Sequence, residues 1–341
     1  MSNHKQIKLK YTDKCSELIA VMPDYVRDYI RAIHNRTEAR TRYEYLLDIQ
    51  TFLSYMSDRY GWQSVTLKDL NSLDKNDFEE YFEYLEHYEK DGREYSNSRV
   101  SISRKMSALR KFFAYLFESG KIESDEIRKV EMPKLHTKEI IKLDDNEITR
   151  LLDTVEYGNG LTKKELQYHK RDSVRDLAIC VLYLSTGLRV SECAGLDIDD
   201  LDMDRRAVLV VRKGGNQSTV FFSDEAVPYL KDYLIIRNEL KEKVPDEKAL
   251  FLSSRLSRIS VRNMEHLVKK YCARAGINKK MSPHKLRATY ATKLYNETGD
   301  IYLVAENMGH EDVATTKEHY ADISNKHKEE SRNIISLRGT V

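Results

Sequence analysis

Residues 282–287 read Ser-Pro-His-Lys-Leu-Arg. Ser282 suits an N-cap, and Pro283 suits the first helical position, where its missing N–H costs nothing. His284 then falls in the first turn, and Arg287, three residues on, shares its face. Unpaired amides and the positive end of the helix dipole favour an anion at such a terminus. An imidazole and a guanidinium beside it make a phosphate-handling site. Taken alone, an H-x-x-R pair is more often local packing, with the arginine paired to a carboxylate. The weight therefore rests on what surrounds it.

The surroundings are basic. From Ser253 to Lys293 there are eleven cations (Arg255, Arg258, Arg262, Lys269, Lys270, Arg274, Lys279, Lys280, Lys285, Arg287 and Lys293) against Glu265 alone. The whole chain carries 57 basic and 55 acidic residues, so its net charge implies no partner and only the distribution does. A local excess of this size points to nucleic acid or another phosphate partner.

Composition excludes several classes. The 341 residues suggest about two domains, and 40% hydrophobic content excludes global disorder. The longest clean apolar run, Leu177 to Leu184, is too short to cross a bilayer, and the polar N-terminus has no signal core. Cys15, Cys180, Cys193 and Cys272 form no C-x-x-C pair and read as reduced thiols of a cytosolic protein. With 13 Gly and 5 Pro, a turn-rich all-β fold is excluded. No P-loop, zinc finger or RNA-recognition signature is present, so neither a nucleotide cofactor nor a metal is expected.

Working toward the N-terminus, the pattern is helical. Thr41-Arg42-Tyr43-Glu44 reads as a capping box, followed by Tyr45, Ile49, Phe52 and Met56 on one face and Gly61 as the stop. A second helix, about Ser96 to Ser119, aligns Ile102, Met106, Leu109, Phe113 and Leu116. Shorter helices fit near Asp24–His34 and Lys75–Tyr88, giving a bundle of about four. Its charge is segregated: Lys68 to Asp91 holds nine acidic and three basic residues, Arg93 to Leu116 six basic and one acidic. These are either two mutually attracting solvated faces, or Arg99, Arg104, Lys105, Arg110 and Lys111 face a polyanion. The stretch around Pro133 lacks a helical stripe and reads as a linker, after which Asp144 caps a new helix. The domains expected are a tail over 1–20, a helical domain over 21–130, a linker over 131–145, a larger domain over 146–320 and a C-terminal segment over 321–341.

The second half is mainly helical with one strand pair. Arg206–Arg212 and Ser218–Phe222 flank a Gly214-Gly215-Asn216 turn and read as a hairpin with Lys213 at its tip. A buried helix over 176–185 stops at Gly187 and delivers Arg189, which alone reads as a structural arginine paired with Glu192. Further on come Met308-Gly309-His310, Thr315-Thr316 and Tyr320, one of 22 tyrosines.

Together these elements are far more specific than any one of them. The blocks TGLRVSE, SPHKLRATYAT and NMGHEDVATTKEHY, the Lys213 hairpin and the T-x-x-x-Y pattern from Thr41 resemble the tyrosine recombinase (phage integrase) family over most of the chain. Arg212-Lys213-Gly214 stands where many members have Gly-Lys-Gly. The His310-to-Tyr320 spacing is one residue longer than in Xer-type members and looks more like integrases of mobile elements.

The resemblance implies a mainly α fold with a small sheet, in which a core-binding domain and a catalytic domain form a C-shaped clamp on duplex DNA. It implies that Arg189, Lys213, His284, Arg287, His310 and Tyr320 are the active site, with Tyr320 the nucleophile of a 3′-phosphotyrosyl linkage and no cofactor. Arg99, Arg104, Lys105, Arg110, Lys111, Arg255, Arg258, Arg262 and Lys285 are the expected DNA contacts. The family also implies paired recombination sites, a dimer on each site, a tetramer in a synapse that proceeds through a Holliday junction, accessory DNA-bending proteins and a bacterial, nucleoid-associated cytoplasmic location. The tail, with Ile334, Ile335 and Leu337, is expected to dock on a neighbouring subunit. The alternatives are a type IB topoisomerase, a regulator that kept the fold without catalysis, and a helical scaffold.

Overall fold

The computed structural model describes residues 3–90, 92–134, 140–212, 215–240, 243–244 and 248–309, with side chains from residue 8 onward and excepting that of Lys90. Its contacts divide the chain into two compact units, Met1–Lys138 and Glu139–Val341.

The first unit is built on aromatic packing. Helix α3 (Ala39–Tyr60) buries Leu46, Ile49, Phe52 and Met56 along one stripe and ends at Gly61 in the left-handed conformation. It packs against α6 (Arg99–Glu118), which buries Ile102, Met106, Leu109, Phe112, Phe113 and Leu116. Phe52 stacks on Phe78 of α5 (Lys75–Tyr84) and meets Tyr81 and Phe113 edge-on, at centroid separations of 5.1–5.6 Å. Burying each such ring contributes about 1.5–3 kcal/mol. Helices α2 (Asp24–Ala32) and α4 (Leu67–Ser72) complete the bundle, α4 through a capping box between Thr66 and Asp69.

Four expectations for this unit need correction. The stretch read as a tail is a helix, α1 (Asn3–Ala20), packed on α3. Cys15 is buried, Leu18 and Ile19 pack on the core, and Tyr11 lies against Tyr43, a sparse stripe hidden among lysines. Helix α3 starts two residues before Thr41, with Glu38 as its N-cap, so no capping box forms there. Arg42 ties the entry instead, donating to the carbonyls of His34 and Thr37. The helix expected to reach Tyr88 stops at Tyr84, and a hairpin follows, β1 (His87–Lys90) paired antiparallel with β2 (Arg93–Ser96). Finally, the helix expected from Ser96 begins at Arg99, capped by the Ser98 hydroxyl.

In the second unit, the later part of the stretch read as a linker joins the core: Leu143 is buried and its amide donates to Thr289 Oγ1 at 2.9 Å. Helix α7 (Asp145–Tyr157) starts at a capping box between Asp144 and Glu147. Helix α8 (Lys163–Thr186) is the spine, buried continuously from Asp176 to Tyr183, and Gly187 ends it. Helix α9 (Val190–Gly195) follows at once. A three-stranded antiparallel sheet orders β3 (Leu201–Asp202), β4 (Ala207–Val211) and β5 (Gln217–Phe221). Helices α10 (Val227–Glu239), α11 (Val261–Arg274), α12 (Pro283–Thr298) and α13 (Ile301–Met308) close the unit. Among the described residues, no helix is long and apolar enough to cross a membrane.

Candidate active site

The site starts where α8 stops. Gly187 has φ +62°, and a Cβ there would lie 2.4 Å from Tyr290 Cδ1 of α12. Only glycine satisfies both the turn and that approach. The chain then presents Arg189 as the N-cap of α9. Its amide donates to Glu192 Oε2 at 2.8 Å, and its Nη1 meets Glu192 Oε1 at 2.7 Å. Its Nη2 donates to the Gly309 carbonyl at 2.9 Å. The Glu192 pairing read from sequence is therefore present, and it leaves the arginine about a third exposed.

Arg287 comes from the second turn of α12, whose first residue is Pro283, with Ser282 as N-cap. The serine caps through its backbone: its carbonyl accepts from the Lys285 and Leu286 amides. Arg287 is buried and donates to the carbonyls of Gly187 and Met308. His284 stands exposed in the first turn of the same helix.

A third guanidinium was not singled out from sequence. Arg212 follows β4 and is buried, with Nη1 3.3 Å from Glu192 Oε2 and Nη2 2.9 Å from the Asn307 carbonyl. The signal was strand alternation: Val208 and Val210 face inward, and a period of two puts Arg212 on the same side. Thus Arg212, Arg287 and Arg189 take the carbonyls of Asn307, Met308 and Gly309, the last turn of α13 and its left-handed cap. Those carbonyls have no intrahelical partners and carry the negative end of the dipole. Three cations meet there, and Glu192 pairs with two of them, Arg189 and Arg212. Arg189 and Arg287 can hold an anion by fixed, oriented charge, while Arg212 is turned to Glu192 and the end of α13.

Lys213, His310 and Tyr320 lie outside the described residues. Arg212 and Gly309, the chain neighbours of Lys213 and His310, are in the cluster just described. Among the described residues, no group of three or more His, Cys, Asp or Glu is arranged to hold a metal ion.

The cations expected to contact DNA divide into two sets. Arg99, Arg255 and Arg262 are exposed, and Lys285 is half-buried. Arg258 donates to the carbonyls of Gly195 and Leu196 at 2.9 Å and pairs with Asp197, so it caps α9. Arg104 and Lys105 meet the buried carboxylate of Asp48 on α3 at 2.7 and 3.0 Å. Arg110 donates to the Val130 carbonyl, and Lys111 to Tyr45 Oη at 3.0 Å. The carboxylate facing α6 is therefore Asp48, outside the acidic stretch 68–91.

The buried thiols have no part in this site. Burial pushes Cys193 and Cys272 up to about 12, which keeps them protonated and inert.

Comparison with known proteins places these features. The model of the phage integrase family matches residues 142–327, and that of the phage integrase N-terminal SAM-like domain matches residues 26–120. Tyrosine recombinase XerC of Caldanaerobacter subterraneus is 34% identical over 288 residues, covering 80% of this chain and 75% of that protein. Tyrosine recombinase XerS of Streptococcus agalactiae is 33% identical over 334 residues, covering 89% and 93%. Among solved structures, XerH recombinase bound to its difH substrate after cleavage superposes with a TM-score of 0.65 at 19% identity, over 87% of this chain and 81% of that one. The Tn1549 transposon integrase with transposon-end DNA gives 0.65 at 18%, over 91% and 99%. At such identities the structural likeness shows the shared fold.

Proposed function

This chain belongs to the phage integrase family, the tyrosine recombinases that cleave and rejoin DNA, and from that premise we propose how its own residues do so. The observation that carries the reading is the convergence of Arg189 and Arg287, far apart in sequence, on consecutive carbonyls of residues 308 and 309. The next residue in the chain is His310.

Arg189 and Arg287 hold the nonbridging oxygens of a scissile phosphate and stabilise the charge that builds on them in the transition state. Guanidinium suits this because it stays protonated and can grip two oxygens. Tyr320 Oη attacks phosphorus, and the bond from phosphorus to the 5′-oxygen breaks. His284 accepts or shares the phenol proton, directly or through the phosphate. Lys213 gives a proton to the departing 5′-oxygen, and His310 donates a hydrogen bond to a nonbridging oxygen. The phosphotyrosyl link preserves the phosphodiester's energy, so a new 5′-hydroxyl attacks it and releases Tyr320 without ATP.

The partner is duplex DNA carrying paired recombination sites. A dimer binds each site, a tetramer forms in the synapse, and accessory DNA-bending proteins act where direction is set. Exposed Arg99, Arg255 and Arg262 serve as phosphate contacts, whose affinity falls with salt. The tail's Ile334, Ile335 and Leu337 dock on a neighbouring subunit. A groove of about 620 Å³, lined by Leu152, Val181, Leu184, Tyr229 and Leu294 among others, supports this by offering an apolar seat. Deleting the residues after Asn333 impairs synapsis more than single-site binding; unchanged synapsis overturns the docking.

The deciding test traps the covalent intermediate. The duplex that the protein protects from nuclease is made as a nicked suicide substrate. Wild type forms a covalent adduct and Tyr320→Phe forms none. Protection of the site without an adduct from wild type overturns the reading.

A further inference from the structure

Arg212 does more than fill space. It is 8% exposed, and it bridges Glu192 to the Asn307 carbonyl. Its side chain lies flat on Gly309, where an added Cβ would come within 2.8 Å of both Cζ and Nε. Its backbone closes the hairpin: its amide donates to the Asn216 carbonyl at 2.7 Å, and its own carbonyl accepts from the Gly215 amide at 3.0 Å. One residue therefore ties the strand end leading into Lys213 to α9 and to the end of α13. Burying a cation is costly, and an apolar residue could fill the same volume more cheaply. A guanidinium earns its place only if its directional, forked bonds matter.

We propose that Arg212 is a positioning residue that anchors the hairpin base to Glu192 and the α13 terminus, and so sets where Lys213 can deliver its proton. This rests on the functional reading above. The carboxylate it uses is the one that orients Arg189, so a single buried acid indexes the hairpin and the phosphate-gripping arginine to one point.

Leaving-group chemistry separates positioning from mere stability. When the phosphorus–oxygen bond breaks, the 5′-oxygen must gain a proton. With sulfur at that bridging position, the group leaves as a thiolate, because a thiol is far more acidic than an alcohol. A misplaced proton donor then ceases to matter.

The test uses the full-length protein on its mapped duplex, with either oxygen or sulfur bridging at the scissile position. Arg212→Met keeps the length and removes the charge. The expected result is adduct formation slowed about 10²-fold on oxygen, the typical worth of a placed general acid, and restored to within about threefold of wild type on sulfur. Equal losses on both substrates, or no loss on oxygen, overturn the proposal. Arg212→Lys keeps a buried cation should the methionine variant not fold. A single ammonium cannot hold both partners in the forked geometry, so the same oxygen-specific defect is expected at smaller size. If wild type forms no Tyr320-dependent adduct on oxygen, the functional reading fails and takes this inference with it.

Discussion

The two units both gather cations, and they hold them differently. In the first, Arg104 and Lys105 meet the carboxylate of Asp48, two cations against one anion at a partly exposed surface. In the second, Arg189, Arg212 and Arg287 each donate to a neutral carbonyl at the end of α13, and Glu192 pairs with Arg189 and Arg212. A carboxylate orients a guanidinium and cancels its charge; a carbonyl orients it and leaves the charge available. Charge held this way in a half-buried pocket acts more strongly on an incoming phosphate than the same charge in water. The first arrangement suits a fold contact or a salt-sensitive surface, the second suits chemistry.

The sharpest way to break that contrast is Arg287→Lys. Charge is conserved, but the fork that reaches the carbonyls of Gly187 and Met308 is lost. If oriented charge is what matters, adduct formation falls about 10²–10³-fold while DNA affinity changes little. Retention of most of the rate would mean that a cation anywhere in the pocket suffices.

The glycines at helix ends extend the comparison to backbone. Gly120, after α6, has φ +68° and open space around its Cα, whereas Gly187, at φ +62°, sits against Tyr290. Alanine at 120 meets only the left-handed backbone cost, about 1–2 kcal/mol. Alanine at 187 adds overpacking of about 1–3 kcal/mol. Denaturant midpoints should therefore fall further for Gly187→Ala than for Gly120→Ala. Equal losses would show that α12 moves aside and that the site floor is not rigid.

Much of this was legible in the sequence, for identifiable reasons. Local rules located Gly61, Asp144, Gly187 and Pro283, because caps and stops depend on a few adjacent residues. Helix α1 escaped because its buried stripe is thin and interrupted by lysines, and propensity without a strong stripe is a weak guide. The hairpin at His87–Ser96 escaped because Lys75–Tyr88 carries a helical pattern that its own chemistry does not stop at Tyr84. Arg189 and Arg287, which meet at residues 308 and 309, were readable from their motifs. Arg212 was not, since nothing local says that a strand-end arginine will meet Asn307, ninety-five positions on. Asp48 as the partner of α6 is non-local in the same way.

The mildest probe asks whether a carboxylate-held arginine in the second unit behaves like those of the first. Glu165 completes the capping box of α8 with Thr162 and pairs with Arg274 at 3.1 Å. The Thr162 amide and hydroxyl, and then Arg274, hold its carboxyl down to about 2, from an ordinary 4.5. A depressed acid pKa stabilises the fold above the unfolded value and loses that contribution as pH falls toward the folded one. Glu165 therefore contributes in full above about pH 4.5 and progressively less toward about pH 2. The pair is partly solvated, so capping and screening together set the effect at about 0.5–1 kcal/mol near neutrality. Thermal melts of wild type and Glu165→Gln should differ by this amount at neutral pH and converge in acid. The carbonyl-held cluster has no such titration to lose through Arg287, because a backbone carbonyl does not protonate in this range. A Glu165→Gln difference that stayed constant from neutral pH into acid would show that the capping geometry, rather than the charge, does the stabilising, and would remove this arginine from the carboxylate-held class.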